Sequence, residues 1–380
     1  MNSNARVKRE VYEPSLSFCY KVRSTCTSKG EDVPALFFFG DSMVDVGTNN
    51  YIESIALADF PYNGIDFPHS NPTGRFSNGY NIADEIGTFS FVMIGSPPPY
   101  YYFVEDQSTS KKNILEGVNF ASGGSGILPH TGFQQFIRVI PMVEQVDQFR
   151  LVLKNITNIL SPKATSDLLS RALFIISVGS NDLDEYYQSN RTTKIPRQDF
   201  MKSIKYHFKS QLRNLHEMGA RKFGVIGVPP IGCMPLAKAR VNLTKPSSGC
   251  QKELNGYARE FNAIVRGLLQ ELRSDLNGMV YSLGDTYNMT IALMKDPPAY
   301  GFANVAEACC GLGKLNGEEP CHEILRPNLC KNRDVYLFWD FYHPTERACW
   351  LAAKALFEAG QEFVAPISFR QLASANERGL

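Results

Sequence analysis

Apolar residues along this chain fall into two patterns, short unbroken runs and longer stretches spaced as on one face of a helix. Ala35-Leu36-Phe37-Phe38-Phe39 is too short for a helix and is closed by Gly40, which predicts a strand buried on both faces. Similar runs at Leu173 to Val178, Phe223 to Val228 and Met279 to Leu283 each meet a Gly or Pro turn signal and predict three more core strands. Between them Phe200, Ile204, Phe208, Leu212 and Leu215 share one helical face that ends before Gly219. Tyr257, Phe261, Ile264, Val265, Leu268 and Leu272 share another. Strands alternating with amphipathic helices predict right-handed βαβ units and a parallel sheet. Ligands in such sheets bind outside the carboxyl ends of the strands. The segments Asp59 to Asn78 and Ser96 to Phe103 lack clean periodicity and predict long ordered loops over one edge. No internal repeat is present, and the first thirty or so residues predict disorder.

Composition narrows the class. A chain of 380 residues fits one α/β core with elaborated loops. With 43% hydrophobic residues and a formal net charge of +1 it reads as globular, without the basic balance that nucleic acid would need. No apolar run reaches the length of a transmembrane helix. The chain divides into a leader over 1–33, disordered or processed, one α/β domain over 34–365 and a C-terminal tail over 366–380. A monomer is expected.

Seven of the nine cysteines lie in the C-terminal half, at 233, 250, 309, 310, 321, 330 and 349. Sequons stand at Asn155, Asn190, Asn242 and Asn288. Both features point to secretion, although residues 1–33 carry Arg6, Lys8 and Arg9 and no continuous apolar segment of the kind a signal peptide needs. The cluster Cys309, Cys310, Cys321 and Cys330 lacks paired C-x-x-C spacing, so disulfides are favoured over zinc. Cys233 and Cys250 are candidates for a further bridge; the connectivity stays open.

Candidate chemistry sits at the strand ends. Ser42 follows the first apolar run and Gly40-Asp41, which places its hydroxyl on a tight turn where a nucleophile is useful. Near the other end of the chain, Asp340 and His343 stand three apart, close enough for the carboxylate to hold the Nδ1–H and leave Nε2 facing a serine. Pro344 keeps His343 out of helical conformation, just ahead of a helix predicted over Thr345 to Phe357. A tetrahedral oxyanion needs fixed donors, and the N–H of Ser42, the N–H of Gly124 in the glycine block 119–126, and the side-chain amide of Asn181 are candidates. Gly124 is preferred to Gly123 by its spacing from Asn119. G-x-S-x-G, H-E-x-x-H, P-loop and G-x-G-x-x-G motifs are all missing from the sequence.

Four blocks taken together resemble those of the SGNH hydrolase superfamily: Phe39-Gly40-Asp41-Ser42, the glycine block with Gly124, Gly179-Ser180-Asn181-Asp182, and Asp340-x-x-His343. The stretches 39–51, 73–79, 227–233 and 338–340 resemble more narrowly the plant GDSL esterase/lipase family, over about 34–360. The resemblance implies a three-layer flavodoxin-like α/β fold, metal-free and cofactor-free ester hydrolysis, secretion, and catalytic roles for Ser42, Gly124, Asn181, Asp340 and His343. The expected substrate is a small-molecule or lipid ester. Two alternatives use the same fold: an acyltransferase in which an alcohol replaces water, and a silent lipid- or glycan-binding protein.

Overall fold

A computed structural model describes residues 33–90, 95–105, 114–193, 195–240, 249–358 and 360–375. Five strands, β1 (Leu36–Gly40), β2 (Gly117–Asn119), β3 (Leu173–Ser177), β4 (Lys222–Ile226) and β5 (Val280–Gly284), run parallel in the order β2-β1-β3-β4-β5. A two-residue strand, Val364–Ala365, pairs antiparallel outside β5. This is the flavodoxin-like order, and its direction reverses between β1 and β3.

Alternation along the strands builds the layers. Phe37, Phe39, Phe174, Ile176, Phe223 and Val225 turn to one face and pack against helices Met142–Ile159, Arg197–Glu217 and Lys252–Asp275. Leu36, Phe38, Leu173 and Ile175 turn to the other, against helices Ile82–Phe89, Glu346–Glu358 and Phe369–Ser374. Burial on both faces explains why the sequence shows unbroken apolar runs rather than alternation with polar residues. The three-layer architecture expected from the resemblance is therefore present.

Three features depart from the sequence reading. The stretch from residue 366, set apart as a tail, carries the helix Phe369–Ser374, whose Phe369 and Leu372 are fully buried against the sheet. A Ser368 capping box starts that helix, so the core extends past residue 365. The loop 96–103 turns into a short helix, Tyr100–Glu105, after Pro99 bridges to Asn119 at the β2 edge. β2 and the strand Val364–Ala365 were not foreseen. The leader reading falls, Val33 apart, outside the described residues, as does Asn242; Asn155 and Asn288 are exposed on helices.

Three disulfides close the C-terminal loops: Cys233–Cys250, Cys309–Cys330 and Cys310–Cys321. The last two enclose a segment with little regular structure and pack on the indole of the fully buried Trp339. Cys309 and Cys310 donate their N–H groups to the carbonyls of Phe338 and Trp339, so this stapled segment backs the loop that carries Asp340. Replacing Cys310 and Cys321 together by Ser should lower unfolding stability by about 2–4 kcal/mol in urea titration. Peptide mapping that finds these cysteines reduced in active protein would contradict the expectation.

Candidate active site

The turn after β1 is built by steric exclusion at Gly40. Its φ of 147° and its register opposite Ser177 bring it so close to β3 that a Cβ would lie 1.9 Å from the Ser177 carbonyl oxygen. Only glycine fits there. The chain then turns sharply, Asp41 donating its N–H to that same carbonyl at 3.0 Å. Ser42 follows, outside the carboxyl end of β1 and facing a cavity of about 250 Å³.

Gln145, fully buried on helix Met142–Ile159, holds this turn from below. Its Oε1 accepts the Gly40 N–H at 2.8 Å, and its Nε2 donates to the Gly40 and Ile140 carbonyls, each at 2.8 Å. The Ser125 hydroxyl donates to the Gly40 carbonyl as well, at 2.8 Å. One side chain therefore ties the serine turn to the helical layer and the glycine block. Sequence reading passed over Gln145. The available signal was a polar residue on the otherwise apolar stripe Met142, Val146, Phe149, Val152 and Ile156.

His343 and Asp340 arrive from the far end of the chain. His343 Nε2 lies 2.7 Å from Ser42 Oγ, and its Nδ1 lies 2.9 Å from each Asp340 carboxylate oxygen. Asp340 also accepts the backbone N–H groups of Tyr342 and His343 at 2.8 and 2.7 Å, which fixes the carboxylate within its own loop. The Phe76 ring packs on the imidazole with centroids 4.9 Å apart. That contact, made from a signature stretch that suggested no role for Phe76, limits rotation of the ring.

Gly124 and Asn181 line the same cavity as Ser42. Gly124 has a φ of 79°, and the Phe136 ring occupies the space where its Cβ would stand. Asn181 donates one amide hydrogen to the Ser125 carbonyl at 2.8 Å and keeps a second. Among the described residues, neither the Ser42 nor the Gly124 N–H donates to a carbonyl or side-chain acceptor. The structure thus brings all five predicted residues to one cavity, at the point where the sheet order reverses.

Three buried aspartates hold the loops in register. Asp45 accepts N–H groups from Gly47, Thr48 and Gly123, and Asp182 accepts those of Ile127 and Leu128 together with the Thr131 hydroxyl. Burial raises both carboxyls to about 6 against the pull of these donors. Asp41 meets the same penalty with fewer donors: burial lifts it to about 7, the Met43 N–H opposes this, and its Oδ2 has no partner. A carboxyl that holds its proton more tightly folded than unfolded favours the fold most below its unfolded value near 3.8, and the benefit is lost as pH rises towards about 7. In chemical denaturation across that window, Asp41→Asn should lose less stability than the unaltered protein. Parallel curves for the two would mean that Asp41 does not titrate there.

The model of the family of GDSL-like lipases/acylhydrolases matches residues 36–356. A GDSL esterase/lipase of Arabidopsis thaliana is 37% identical over 352 residues, covering 92% of each chain. A second from the same plant is 38% identical over 351 residues, or 90% of this chain and 86% of the relative. An acetylxylan esterase of Geobacillus stearothermophilus aligns with a TM-score of 0.33 and 13% identity over 85% of this chain and 94% of that one, too distant to bear on the chemistry. The class defined is that of carboxylic ester hydrolases. The chain belongs to the GDSL-like lipase/acylhydrolase family.

Proposed function

We propose that the protein hydrolyses its ester by acyl transfer through Ser42, with His343 as base and Asp340 as its orienting carboxylate. The observation that carries this reading is the unbroken line of contacts from Asp340 through His343 to Ser42. His343 Nε2 takes the Ser42 proton as Oγ bonds to the ester carbonyl carbon. The oxyanion is met by the N–H groups of Ser42 and Gly124 and the second amide hydrogen of Asn181. Collapse of the tetrahedral intermediate breaks the C–O bond, and His343 returns its proton to the departing alcohol. Water, deprotonated by the same ring, then releases the acid and restores Ser42. A fluorophosphonate probe should form its adduct on Ser42, and mass spectrometry that mapped it to Ser125 or Ser180 would move the nucleophile.

The amide of Asn181 separates catalysis from simple turn closure. A donor that meets charge appearing only in the transition state affects turnover more than affinity. Asn181→Ala should cost roughly 10² to 10³ in kcat, with KM nearly constant. A lower melting temperature with unchanged kcat per folded molecule would assign Asn181 to the turn and remove it from the oxyanion site. The protein is also read as secreted: three disulfides fit an oxidising compartment, and the exposed Asn155 and Asn288 sequons are accessible for glycosylation.

A further inference from the structure

Asn63, from the segment Asp59 to Asn78, lines the Ser42 cavity although only 4% of its surface is exposed. Its Oδ1 accepts the indole N–H of the fully buried Trp339 at 3.1 Å. An indole nitrogen can only donate, so this contact settles which end of the amide faces it and turns the NH2 group the other way. Among the described residues no acceptor meets Nδ2, and the atom is not sealed from solvent. A buried amide is therefore held with its donor end open to the cavity.

Two backbone contacts place this donor on the imidazole side of Ser42. Trp339, which orients Asn63, directly precedes Asp340, and its own N–H donates to the His343 carbonyl at 2.8 Å. Gly64, next to Asn63, donates its N–H to the Ser77 carbonyl at 2.9 Å, and Ser77 follows the Phe76 that packs on His343. His322, from the stapled segment, lines the same cavity and stacks on Phe60 with ring centroids 4.4 Å apart. Its Nδ1 accepts the Ile324 N–H at 3.3 Å, which leaves the ring hydrogen on Nε2. A second proton on Nδ1, shared with the Glu323 carboxylate 3.5 Å away, would not remove that hydrogen. Among the described residues Nε2 also lacks a partner.

We propose that Asn63, seconded by His322, binds an acceptor oxygen, hydroxyl or ether, on the alcohol part of the ester, and so selects esters of polyols or similarly oxygenated alcohols. The inference rests on the serine mechanism above and adds the class of substrate. In that mechanism His343 hands its proton to the departing alcohol, so the alcohol lies beside the imidazole, on the side where Asn63 is fixed. A plain alkyl group entering there strips the amide of its water and returns no hydrogen bond, whereas an oxygen at the same place keeps the donor paired. Sites built around a fixed donor reject analogues that lack the matching group far more strongly than apolar pockets discriminate by length.

Ester pairs in which an ether oxygen replaces one methylene test this, since an ether can only accept. The alcohol varies in one arm, methoxyethyl against butyl butyrate and methoxybutyl against hexyl butyrate. The acid varies in the other, ethyl methoxyacetate against ethyl butyrate and ethyl methoxybutanoate against ethyl hexanoate. The ratio of ether to alkyl kcat/KM should exceed one in at least one pair of the alcohol arm. Asn63→Asp, whose carboxylate still accepts the Trp339 N–H but offers no donor, should lower that ratio roughly ten-fold. His322→Phe keeps a ring on Phe60, removes the Nε2–H and should lower the same ratio; it carries the test if Asn63→Asp does not fold. Ratios near one in both arms overturn the proposal, as do a preference confined to the acid arm and an alcohol-arm preference that the folded variants leave unmoved. Hydrolysis of these esters by Ser42→Ala at the unaltered rate would instead overturn the serine mechanism, an outcome distinct from an oxygen-indifferent enzyme that still needs Ser42.

Discussion

Ser42→Ala should remove ester hydrolysis, with kcat falling roughly 10⁶-fold, the scale seen when the nucleophile of a comparable triad is deleted. The effect is this large because no other hydroxyl can take over at that point. His343 Nε2 has Ser42 Oγ at 2.7 Å, while the neighbouring Ser125 hydroxyl is committed to the Gly40 carbonyl. The fold should be undisturbed, since Ser42 is partly exposed at the cavity and its hydroxyl supports no structural contact beyond the imidazole. Kinetics with p-nitrophenyl acetate and a thermal melt on one preparation decide the matter. Hydrolysis within ten-fold of the unaltered enzyme, by a variant that melts normally, would show that the reaction does not pass through Ser42.

Asp340→Asn should cost about 10⁴ in kcat. The carboxylate faces His343 Nδ1 with both oxygens at 2.9 Å, an arrangement that requires a hydrogen on Nδ1 and leaves Nε2 able to accept the serine proton. An amide nitrogen in its place presents a hydrogen to Nδ1, favours the opposite tautomer, and turns Nε2–H towards Ser42. The backbone N–H groups of Tyr342 and His343 can still bond to the remaining amide oxygen, so the loop should keep its shape. A turnover near that of the unaltered protein would mean that the Phe76 ring and the loop backbone orient His343 without the charge.

The parts that were legible in the sequence are those in which one residue type has one physical use. Five consecutive apolar residues before a glycine had to be a strand buried on both faces, and β1 is that strand. The helix after His343 was legible from Pro344, and it begins at Glu346, one residue later than expected. β2 escaped notice because Gly117-Val118-Asn119 is too short to have a pattern and gains its partners only through β1. Phe369 and Leu372 escaped because two apolar residues in a short, otherwise unremarkable segment show no period until a sheet face is there to receive them. At the site, the candidate residues stood in short blocks whose chemistry is local. The supports did not: Gln145 reaches Gly40 across 105 residues, and Asp182 reaches Ile127 across 55. Such contacts depend on how the layers are wound, which a single sequence does not print.

Ser42 and His343 are separated by 301 residues, and this interval imposes an order of events on synthesis. At ribosomal rates of about 5–20 residues per second, Ser42 precedes its proposed base by roughly 15–60 s. β2, β3, β4 and β5 all follow β1 within that interval, so the whole parallel sheet is polymerised before the imidazole. The stretch that brings the imidazole also brings the helix Glu346–Glu358, which packs on one face of that sheet.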